Sequence, residues 1–540
     1  METNHRRSRT GCMNCRAIRT KCDELKPKCR RCMNRGVVCK GYVRKLRWVG
    51  EALPTIAATR KQRSDLVVQK QQAEIKTGYV STRLQNLKLL STVTPLDALD
   101  RALVEHWMMM TLQLVSLDPA ATYYLGQMYD DLTSKDESLT LRAMLSNSAA
   151  HLLTLGRVPE STFVLLQQQA FTAMRCSLKK LVAESSMLFS NRMPIHSLHM
   201  PFSSLDDDAI VGSLLLIDDE IIRPDNCYSA VRVQFLLQGT YSLVAERHKY
   251  FECPCPRPHP ARSEPHYKLD SPLFQSSVSF LAWADIMSCV PCARPPILDK
   301  RYWLEGAIKT SRENARKLQP NNDLGYCAQV LSLLGDCTTA VHSLYTQIIS
   351  EEEFTQMGSY LHQQLDQAMA DLPEPKEASI DTPIQGLIGV SKATMVEGHN
   401  ACIAAAICHG LATQIFLLRA TDHERESPQV TTLCDRLFSS LRQLSANHSV
   451  VTISLWPLWV LGCESHGGVD NSTKEFVVMF LEAVFKRQCM KNVERCLITL
   501  REEVWTLDPS STDQVCEKPP VPQSAWVWHC YNQGIRLLLA

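Results

Sequence analysis

Six cysteines near the start of the chain constrain its fold more than any other feature of the sequence. They are Cys12, Cys15, Cys22, Cys29, Cys32 and Cys39. Their spacing, C-x2-C-x6-C-x6-C-x2-C-x6-C, contains two copies of C-x2-C-x6-C offset by 17 residues. The repetition predicts a small domain with approximate two-fold symmetry. In each copy the second and third cysteines are seven residues apart. Because this spacing is close to two helical turns, both thiolates are expected to point to one face.

The number of thiolates indicates two zinc ions. A structural zinc takes four ligands in a tetrahedron, so two ions need eight ligand positions from six thiolates. Two cysteines must therefore be shared, and symmetry favours the first of each copy, Cys12 and Cys29. The remaining pairs, Cys15 with Cys22 and Cys32 with Cys39, then complete one zinc site each. Because so short a segment has little apolar material, metal binding is expected to supply its folding energy.

Other interpretations of the cysteines explain less of the pattern. A single zinc could be bound by Cys12, Cys15, Cys29 and Cys32 alone. Cys22 and Cys39 would then bind no metal, although they occupy symmetry-related positions. Metal storage would require denser cysteines and would not need about five hundred further residues. Six unrelated core cysteines would not repeat at this spacing.

Charge also separates the beginning of the chain from the rest. Residues 1–50 contain 15 Lys and Arg against three acids, whereas residues 51–540 contain 43 bases against 53 acids. This distribution predicts a polyanion contact at one end only. The N-terminus has no apolar run, so we expect no secretory signal and a reducing compartment in which clustered cysteines bind metal. No membrane span is expected, since the most apolar stretch, 402–418, is interrupted by His409 and Gln414.

The segment RRSRTGCMNCRAIRTKCDELKPKCRRCMNRGVVCKGYVRKLRW resembles the fungal binuclear zinc cluster of transcriptional regulators. Pro27 between the halves and Gly36 before the last cysteine belong to the match, as do the trailing Gly41-Tyr42 and Leu46-x-Trp48. The resemblance implies that the first helix reads CGG-like triplets in the major groove. It also implies that Arg19 is the main base-reading residue and that Lys21 holds the usual basic position before the third cysteine. Ile18 departs from the family, which usually has Lys or Arg there.

The chemistry of the basic residues agrees with that resemblance. Arg16, Arg19 and Lys21 lie on the short helix expected between the second and third cysteines. An arginine can make the bidentate contact to guanine O6 and N7. Phosphate contacts, which position a protein without reading sequence, are expected from Lys26, Lys28, Arg30, Arg31 and Arg35. Arg9 is also counted among the DNA contacts, and with Arg6-Arg7 it is a candidate for nuclear import.

Beyond residue 50 the chain divides into a linker and a body. Residues 51–93 read as a linker, in which a short dimerising coiled coil is the alternative to a solvated segment. From Thr94 a capping hydroxyl, a proline and Asp97 predict a helix start. A stripe of Leu96, Leu99, Leu103, Trp107, Met110 and Leu114 follows it. Further helices are predicted at 162–184, 305–318, 355–371, 393–419, 474–490 and 493–504, and a proline-rich loop at 252–272. The fold class is therefore a small metal-stabilised α zinc-cluster domain plus a large, mainly α-helical regulatory domain over residues 94–540.

The body also resembles the regulatory region of fungal zinc-cluster proteins, through looser signals. These are the segments 280–286, 294–296, 455–458, 462–464 and 503–505. We interpret them as packing motifs. Cys289-x-x-Cys292 and the group Cys253, Cys255, His259 and His266 imitate reactive or metal sites, but no surrounding pattern supports either. No sequence motif of an enzyme is found.

The sequence therefore predicts a nuclear, zinc-dependent, sequence-specific regulator of RNA polymerase II transcription that is not an enzyme. The layout resembles regulators encoded in secondary-metabolite gene clusters, which is the pathway we expect. Its partners would be double-stranded DNA with CGG-like triplets and transcriptional cofactors, and homodimerisation is left open. The alternatives are a corepressor or scaffold that does not bind DNA, and a regulator of primary or lipid/sterol metabolism.

Overall fold

The chain divides into two compact units, Met1–Thr77 and Gly78–Ala540. The computed structural model describes residues 14–15, 20, 22–23, 29–37, 39, 97–115, 117, 138–190, 207–224, 229–252, 271–310, 318–377, 392–421, 427–465, 471–506, 526–533 and 537–539. The predicted linker at 51–93, with its alternative coiled coil, lies outside these residues, as does most of the proline-rich loop predicted at 252–272. The domain boundaries at residues 50 and 94 therefore stay predictions.

The second unit is built mainly from α-helices, as the sequence predicts. In chain order the helices are α1 (Arg30–Asn34) in the first unit and, in the second, α2 (Ala98–His106), α3 (Leu112–Val115), α4 (Leu139–Thr154), α5 (Glu160–Ser190), α6 (Asp207–Ile222), α7 (Ser229–Glu252), α8 (Pro272–Cys289), α9 (Leu304–Ala307), α10 (Ala328–Tyr345), α11 (Glu351–Ala370), α12 (Lys392–Arg419), α13 (Pro428–Leu441), α14 (Leu455–Glu464), α15 (Asn471–Gln488), α16 (Lys491–Thr499) and α17 (Trp526–Gln533). Short 3₁₀ helices cover Val290–Cys292, Lys300–Tyr302 and Ser449–Ile453, and π-helical turns cover Trp107–Thr111 and Leu500–Val504.

One continuous hydrophobic core holds the described helices of the second unit together. On one side α6 packs against α4 and α7, and on the other α12 packs against α11, α13 and α14. Two tryptophans of α14, Trp456 and Trp459, are completely buried, and the Trp456 ring contacts Phe416 of α12 edge-on at 5.6 Å. The core therefore depends on contacts between helices that are far apart in sequence.

Two helices, spanning Pro272–Cys292 and Ala393–Arg419, are long and apolar enough to cross a membrane. In each, 83% of the most apolar window is buried inside the protein. Their apolar surface is thus already covered by neighbouring helices. A helix that is hydrophobic on all sides is expected in the core of a large protein as well as in a membrane.

Most of the predicted helices are confirmed, namely those at 162–184, 355–371, 393–419, 474–490 and 493–504. Helix α11 begins at Glu351, four residues before the predicted start at 355, because of a capping box that the prediction did not use. Ser350 accepts a hydrogen bond from the backbone N–H of Glu353, and the Glu353 carboxylate accepts one from the backbone N–H of Ser350. This reciprocal capping box satisfies donors that the helix itself leaves unpaired.

The helix predicted behind Thr94 is present but begins later than expected. Thr94 itself lies outside the described residues. The N-cap of α2 is Asp97, whose carboxylate accepts the backbone N–H of Asp100 at 2.8 Å. The predicted apolar stripe is only partly buried, because Leu99 and Met110 are 45% and 42% exposed. Met110 lies in the π-helical turn, where wider winding breaks the regular spacing of buried positions.

The helix predicted at 305–318 is wrong. The structure has the single turn of α9, followed by two short antiparallel strands, β1 (Lys309–Thr310) and β2 (Leu318–Gln319). Pro320 follows β2 directly, and the residue before a proline is driven away from helical backbone angles. Asn321 then makes a side-chain turn, in which its Oδ1 accepts the backbone N–H groups of Asp323 and Leu324.

The segments of the body that resemble the family's regulatory region make contacts between helices and loops, in agreement with their interpretation as packing motifs. The Asp285 carboxylate on α8 accepts the backbone N–H groups of Ile297 and Leu298, each at 2.7 Å, and so fixes the loop that follows the helix. Trp505 donates its indole N–H to the carbonyl oxygen of Gly462 at 2.8 Å. A Cβ at position 462 would lie only 2.7 Å from Cδ1 of Leu500, so a larger residue there would require the Leu500 side chain to shift.

The apolar surroundings of the scattered cysteines in the sequence, such as Cys176 and Cys337, predict small residues of the core. Cys337 is buried in the core as predicted, whereas the prediction that Cys176 is a core residue is wrong, because this side chain on α5 is exposed. Cys176 lies on a face of α5 that neighbouring helices cover only in part, although the residues around it in the sequence are apolar. Apolar neighbours in sequence are not sufficient to bury a side chain, since burial requires a neighbouring element.

His409 makes the stability of the body dependent on pH. The ring is completely buried in α12, and its Nε2 lies 2.5 Å from the carbonyl oxygen of Ile453. Burial lowers the pKa of His409 to about 4. A histidine in an unfolded chain has a pKa near ~6.5. The unfolded state therefore binds the proton first as the pH falls, and His409 destabilises the fold progressively from about pH 6.5 down to about pH 4.

We expect His409→Gln to reduce this acid sensitivity. The loss in free energy of unfolding between pH 7 and about pH 4.5 should be smaller in the variant by about 2–3 kcal/mol. Urea unfolding of both proteins at both pH values measures the difference. Asp218 and other buried acids with raised pKa act in the opposite direction, but they are common to both proteins and cancel. An unchanged pH difference in the variant would contradict the assignment.

Candidate metal centre and nucleic-acid interface

The first unit brings its described cysteines into one cluster. Cys15, Cys22, Cys29 and Cys32 are buried together, and Cys39 packs against them. The sulfur atoms of Cys15, Cys29 and Cys32 all lie within 4.8 Å of one another. Cys12, the sixth predicted ligand, lies outside the described residues. Cysteines that are up to 24 positions apart in the chain are thus gathered into a single small core.

The distances between these sulfurs fit zinc. The Sγ atoms of Cys15 and Cys29 are 3.8 Å apart. In a tetrahedron with zinc–sulfur bonds of about 2.3 Å, two sulfurs on the same ion are separated by about 3.8 Å. A disulfide would bring them to about 2.05 Å. The spacing of the sulfurs therefore suits thiolates that bind the same metal ion. These residues would hold zinc, and zinc binding would stabilise the folded unit.

Cys29 has a central position in the cluster. It belongs to the group with Cys15 and Cys32 and also to a second group with Cys22 and Asp23, whose ligand atoms likewise lie within 4.8 Å of one another. Its thiol also accepts the backbone N–H of Cys32 at 3.3 Å, so Cys29 is the N-cap of α1. One sulfur thus touches both halves of the unit and fixes the start of a helix.

The backbone shows the internal repetition that the cysteine spacing predicts. The N–H of Thr20 donates to the carbonyl oxygen of Cys15 at 2.9 Å, and the N–H of Val37 donates to that of Cys32 at 3.1 Å. The two bonds are equivalent under the offset of 17 residues. In the second copy Gly36, with φ of 65°, completes a Schellman ending of α1, a conformation that favours glycine.

Asp23 is a structural residue to which the sequence reasoning assigned no role. Its Oδ2 accepts the backbone N–H of Arg30 at 2.9 Å, at the first residue of α1. A carboxylate at this end also interacts favourably with the helix dipole. Asp23 follows the last cysteine of the first copy and so ties that copy to the helix of the second. An acid next to a zinc ligand in an otherwise basic segment was the available signal.

The basic side chains of α1 are available to a nucleic acid. Arg30, Arg31 and Arg35 are exposed on the short helix and its C-cap, while Cys32 between them faces the sulfur cluster. This arrangement places guanidinium groups outward and the metal ligands inward. The other predicted DNA contacts lie outside the described residues, namely Arg9, Arg16, Arg19, Lys21, Lys26 and Lys28.

In the Cys289-x-x-Cys292 pair of the body, burial of Cys289 acts against a reactive site, although Arg294 Nη2 lies 3.6 Å from the Cys289 thiol. Cys289 is fully buried at the end of α8, and burial raises the pKa of its thiol to about 12. Cys292 directs its thiol to the carbonyl oxygen of Cys289 at 3.4 Å. Because the thiolate is the reactive form, the raised pKa disfavours a reaction of Cys289 at neutral pH. Cys253, Cys255, His259 and His266 lie outside the described residues.

Two known families match this chain. Residues 10–49 match the fungal Zn(2)-Cys(6) binuclear cluster domain, and residues 102–540 match the fungal specific transcription factor domain. Together the two matches cover most of the chain in the expected order. No solved structure matches the chain significantly.

Several curated proteins are similar over short stretches. The Zn(2)-C6 fungal-type transcription factor afumD of Aspergillus fumigatus is 60% identical over 35 residues, 6% of this chain and 9% of that protein. Transcriptional regulatory protein pro1 of Neurospora crassa is 35% identical over 97 residues, 17% and 13% of the two chains. The aspercryptin biosynthesis cluster-specific transcription regulator atnN of Emericella nidulans is 58% identical over 36 residues, 7% and 6%. The alignments thus span only a small part of each relative.

The cysteine cluster and the two family matches lead to the same assignment. A binuclear cluster of two zinc ions on six cysteines forms the DNA-binding unit, and the helical region is the domain characteristic of fungal regulators. These are families of transcription factors and not of enzymes. The chain belongs to the fungal Zn(2)-Cys(6) binuclear cluster transcription factors.

Proposed function

We propose that this transcription factor acts in the nucleus on RNA polymerase II promoters and reads CGG-like triplets through Arg19 and Lys21. The observation that carries the proposal is the gathering of the cluster sulfurs beside α1, whose Arg30 and Arg31 are exposed. The assignment of base reading to Arg19 and Lys21 rests on the likeness to the zinc-cluster family. Bidentate arginine contacts to guanine supply base discrimination, and contacts to phosphates supply affinity. Arg9, Arg16, Lys28, Arg30 and Arg31 complete the proposed DNA contacts.

Within the cluster, Cys12 and Cys29 are proposed as the cysteines shared by both zinc ions. The membership of Cys29 in both ligand groups supports its role, and the repeat symmetry supports that of Cys12. Cys15 and Cys22 would then complete one ion, and Cys32 and Cys39 the other.

The proposed targets are genes of a secondary-metabolite cluster. This part of the proposal is supported by the similarity to the aspercryptin cluster-specific regulator atnN, which is limited to the zinc-cluster region. Transcript profiling after deletion of the gene tests it. Loss of expression confined to a co-located biosynthetic cluster is the expected result. A change confined to primary, lipid or sterol metabolism would assign the regulator to those pathways instead.

The test of base reading compares Arg19→Ala with Arg31→Ala in the full-length protein. Wild type should prefer a duplex with a CGG triplet over one with the triplet scrambled. Loss of Arg19 should weaken binding to the CGG duplex by about 1–3 kcal/mol and largely remove the preference. Loss of Arg31 should weaken binding to both duplexes equally and reduce the dependence of affinity on salt, as expected of a phosphate contact.

Fluorescence anisotropy at several salt concentrations measures these quantities. Equal affinity of wild type for both duplexes, with no effect of Arg19→Ala, would contradict base reading. That outcome would favour the alternative in which the protein acts as a scaffold or corepressor.

A further inference from the structure

A cavity in the helical body has the features of a ligand-binding site. It has a volume of about 80 Å³ and lies between α6, α8 and the segment around the π-helical turn. Its apolar wall includes Leu214, Leu215, Leu324, Ile453 and Met490. A water molecule occupies about 30 Å³ in the liquid, so the cavity is large enough for a small organic group.

The polar groups of the wall are incompletely paired. Oδ2 of Asp218 accepts a hydrogen bond from Asn147 Nδ2 at 2.8 Å, and within the described part of the chain no donor reaches the other oxygen. Asp218 is only 6% exposed. The indole N–H of Trp283 and the hydroxyl of Thr111 are buried and have no hydrogen-bond partner among the described residues. Buried polar groups are almost always paired with protein or ordered water, so these groups are available to pair with a molecule in the cavity.

The charges of the residues that line the cavity indicate which kind of ligand it would bind. Two carboxylates, those of Asp218 and Asp323, line the cavity, and its described lining residues include no Lys, Arg or His. Asp323 accepts the Ser276 hydroxyl at 2.8 Å. Asp218 has no ion-pair partner among the described residues, in contrast to Glu220 on the same helix, which pairs with Arg232 at 2.6 Å. An isolated buried carboxylate favours a cation and repels an anion.

Aromatic rings also favour a cation at this place. Trp107, Phe280 and Trp283 line the cavity, and the Phe280 and Trp283 rings lie 5.6 Å apart. The faces of such rings attract organic ammonium groups, and tryptophan does so most strongly. The leucine, isoleucine and methionine side chains would contact the carbon atoms attached to the ammonium group.

We propose that this cavity binds a small organic ammonium ion, whose charge pairs with Asp218 and whose carbon atoms pack against the aromatic and aliphatic wall. The proposal is independent of base reading by Arg19, because binding to the cavity is measured without DNA. Under this proposal the helical body has a small-molecule ligand of its own.

The first experiment compares n-propylammonium, n-propanol and acetate, which have equal numbers of non-hydrogen atoms. Ligand-detected NMR with the full-length protein measures their binding. Saturable binding of n-propylammonium, with much weaker binding of n-propanol and none of acetate, is expected. Equal binding of the alcohol, preferred binding of acetate, or no saturable binding of the ammonium ion would overturn the proposal.

The second experiment assigns the binding to the cavity. Asp218→Asn removes the charge but keeps an acceptor for Asn147, and it should weaken n-propylammonium binding by about tenfold or more. The matched control is Asp336→Asn, since Asp336 is an exposed acid paired with Lys300 and does not line the cavity. The control should bind as wild type does. Unchanged affinity in Asp218→Asn would contradict the site.

A third variant keeps the test decisive if Asp218→Asn is poorly folded. Ser277 lines the cavity, is buried and has no hydrogen bond within the described residues, so Ser277→Leu should fill the space without breaking a contact. Its circular dichroism should remain that of wild type, and n-propylammonium binding should be lost. A folded Ser277→Leu protein that binds as tightly as wild type would refute the location.

Discussion

Replacement of Cys29 by serine is expected to release both zinc ions and to abolish specific DNA binding by the full-length protein. The Cys29 sulfur belongs to both ligand groups of the cluster and also caps α1. Structural zinc contributes on the order of 10–16 kcal/mol to the folding of small metal domains, and loss of the metal unfolds them. A serine hydroxyl at this position cannot replace a bridging thiolate, because zinc takes thiolate, imidazole and carboxylate ligands.

Two further cysteine variants serve as comparisons for Cys29→Ser. Cys39→Ser removes a ligand proposed to serve one ion only, so this variant should lose about one of two zinc ions. Cys176→Ser changes an exposed cysteine of the body and should keep both ions and full DNA binding. Elemental analysis gives zinc per chain, and fluorescence anisotropy gives DNA affinity. If Cys29→Ser and Cys39→Ser lost equal amounts of zinc, Cys29 would not be shared.

Glu464→Leu is expected to destabilise the helical body by about 3–5 kcal/mol, since it removes the carboxylate that pairs with a buried guanidinium group. Arg419, at the end of α12, donates to Glu464 at the end of α14 through Nε and Nη2, at 3.0 and 2.8 Å. The two side chains are only 7% and 6% exposed. Trp526 of α17 also donates its indole N–H to Glu464 at 2.7 Å. One carboxylate thus joins three helices.

The double variant Arg419→Met/Glu464→Leu should recover much of that loss, because an apolar pair of similar size needs no compensating charge. The control is Glu482→Leu. Glu482 pairs with Arg501 at 3.0 Å, but their side chains are 57% and 48% exposed. Loss of an exposed pair costs only about 0–1 kcal/mol. Urea unfolding measures all three variants. Equal losses in Glu464→Leu and Glu482→Leu would show that burial does not determine the contribution of the ion pair.

Local patterns predicted most of the helices, because apolar period and capping chemistry act within a few residues. Helix α11 is an example of apolar period, whereas its capping box at Ser350 and Glu353 lies before the predicted start at 355. The prediction failed at 305–318, where Pro320 and the turn of Asn321 act against a helical pattern. The error at Cys176 has another cause, because its exposure depends on which helices lie beside α5.

The sequence by itself determined the metal chemistry of this protein. The number and spacing of the cysteines specify the ligands, because these residues lie close together in the chain and a helix turn places them. Only the tertiary structure decided the rest. The Glu464 junction joins residues 419 and 526, and the cavity at Asp218 is lined by residues from 107 to 490. Such sites depend on contacts between helices that are far apart in the sequence, and no local pattern of residues encodes those contacts.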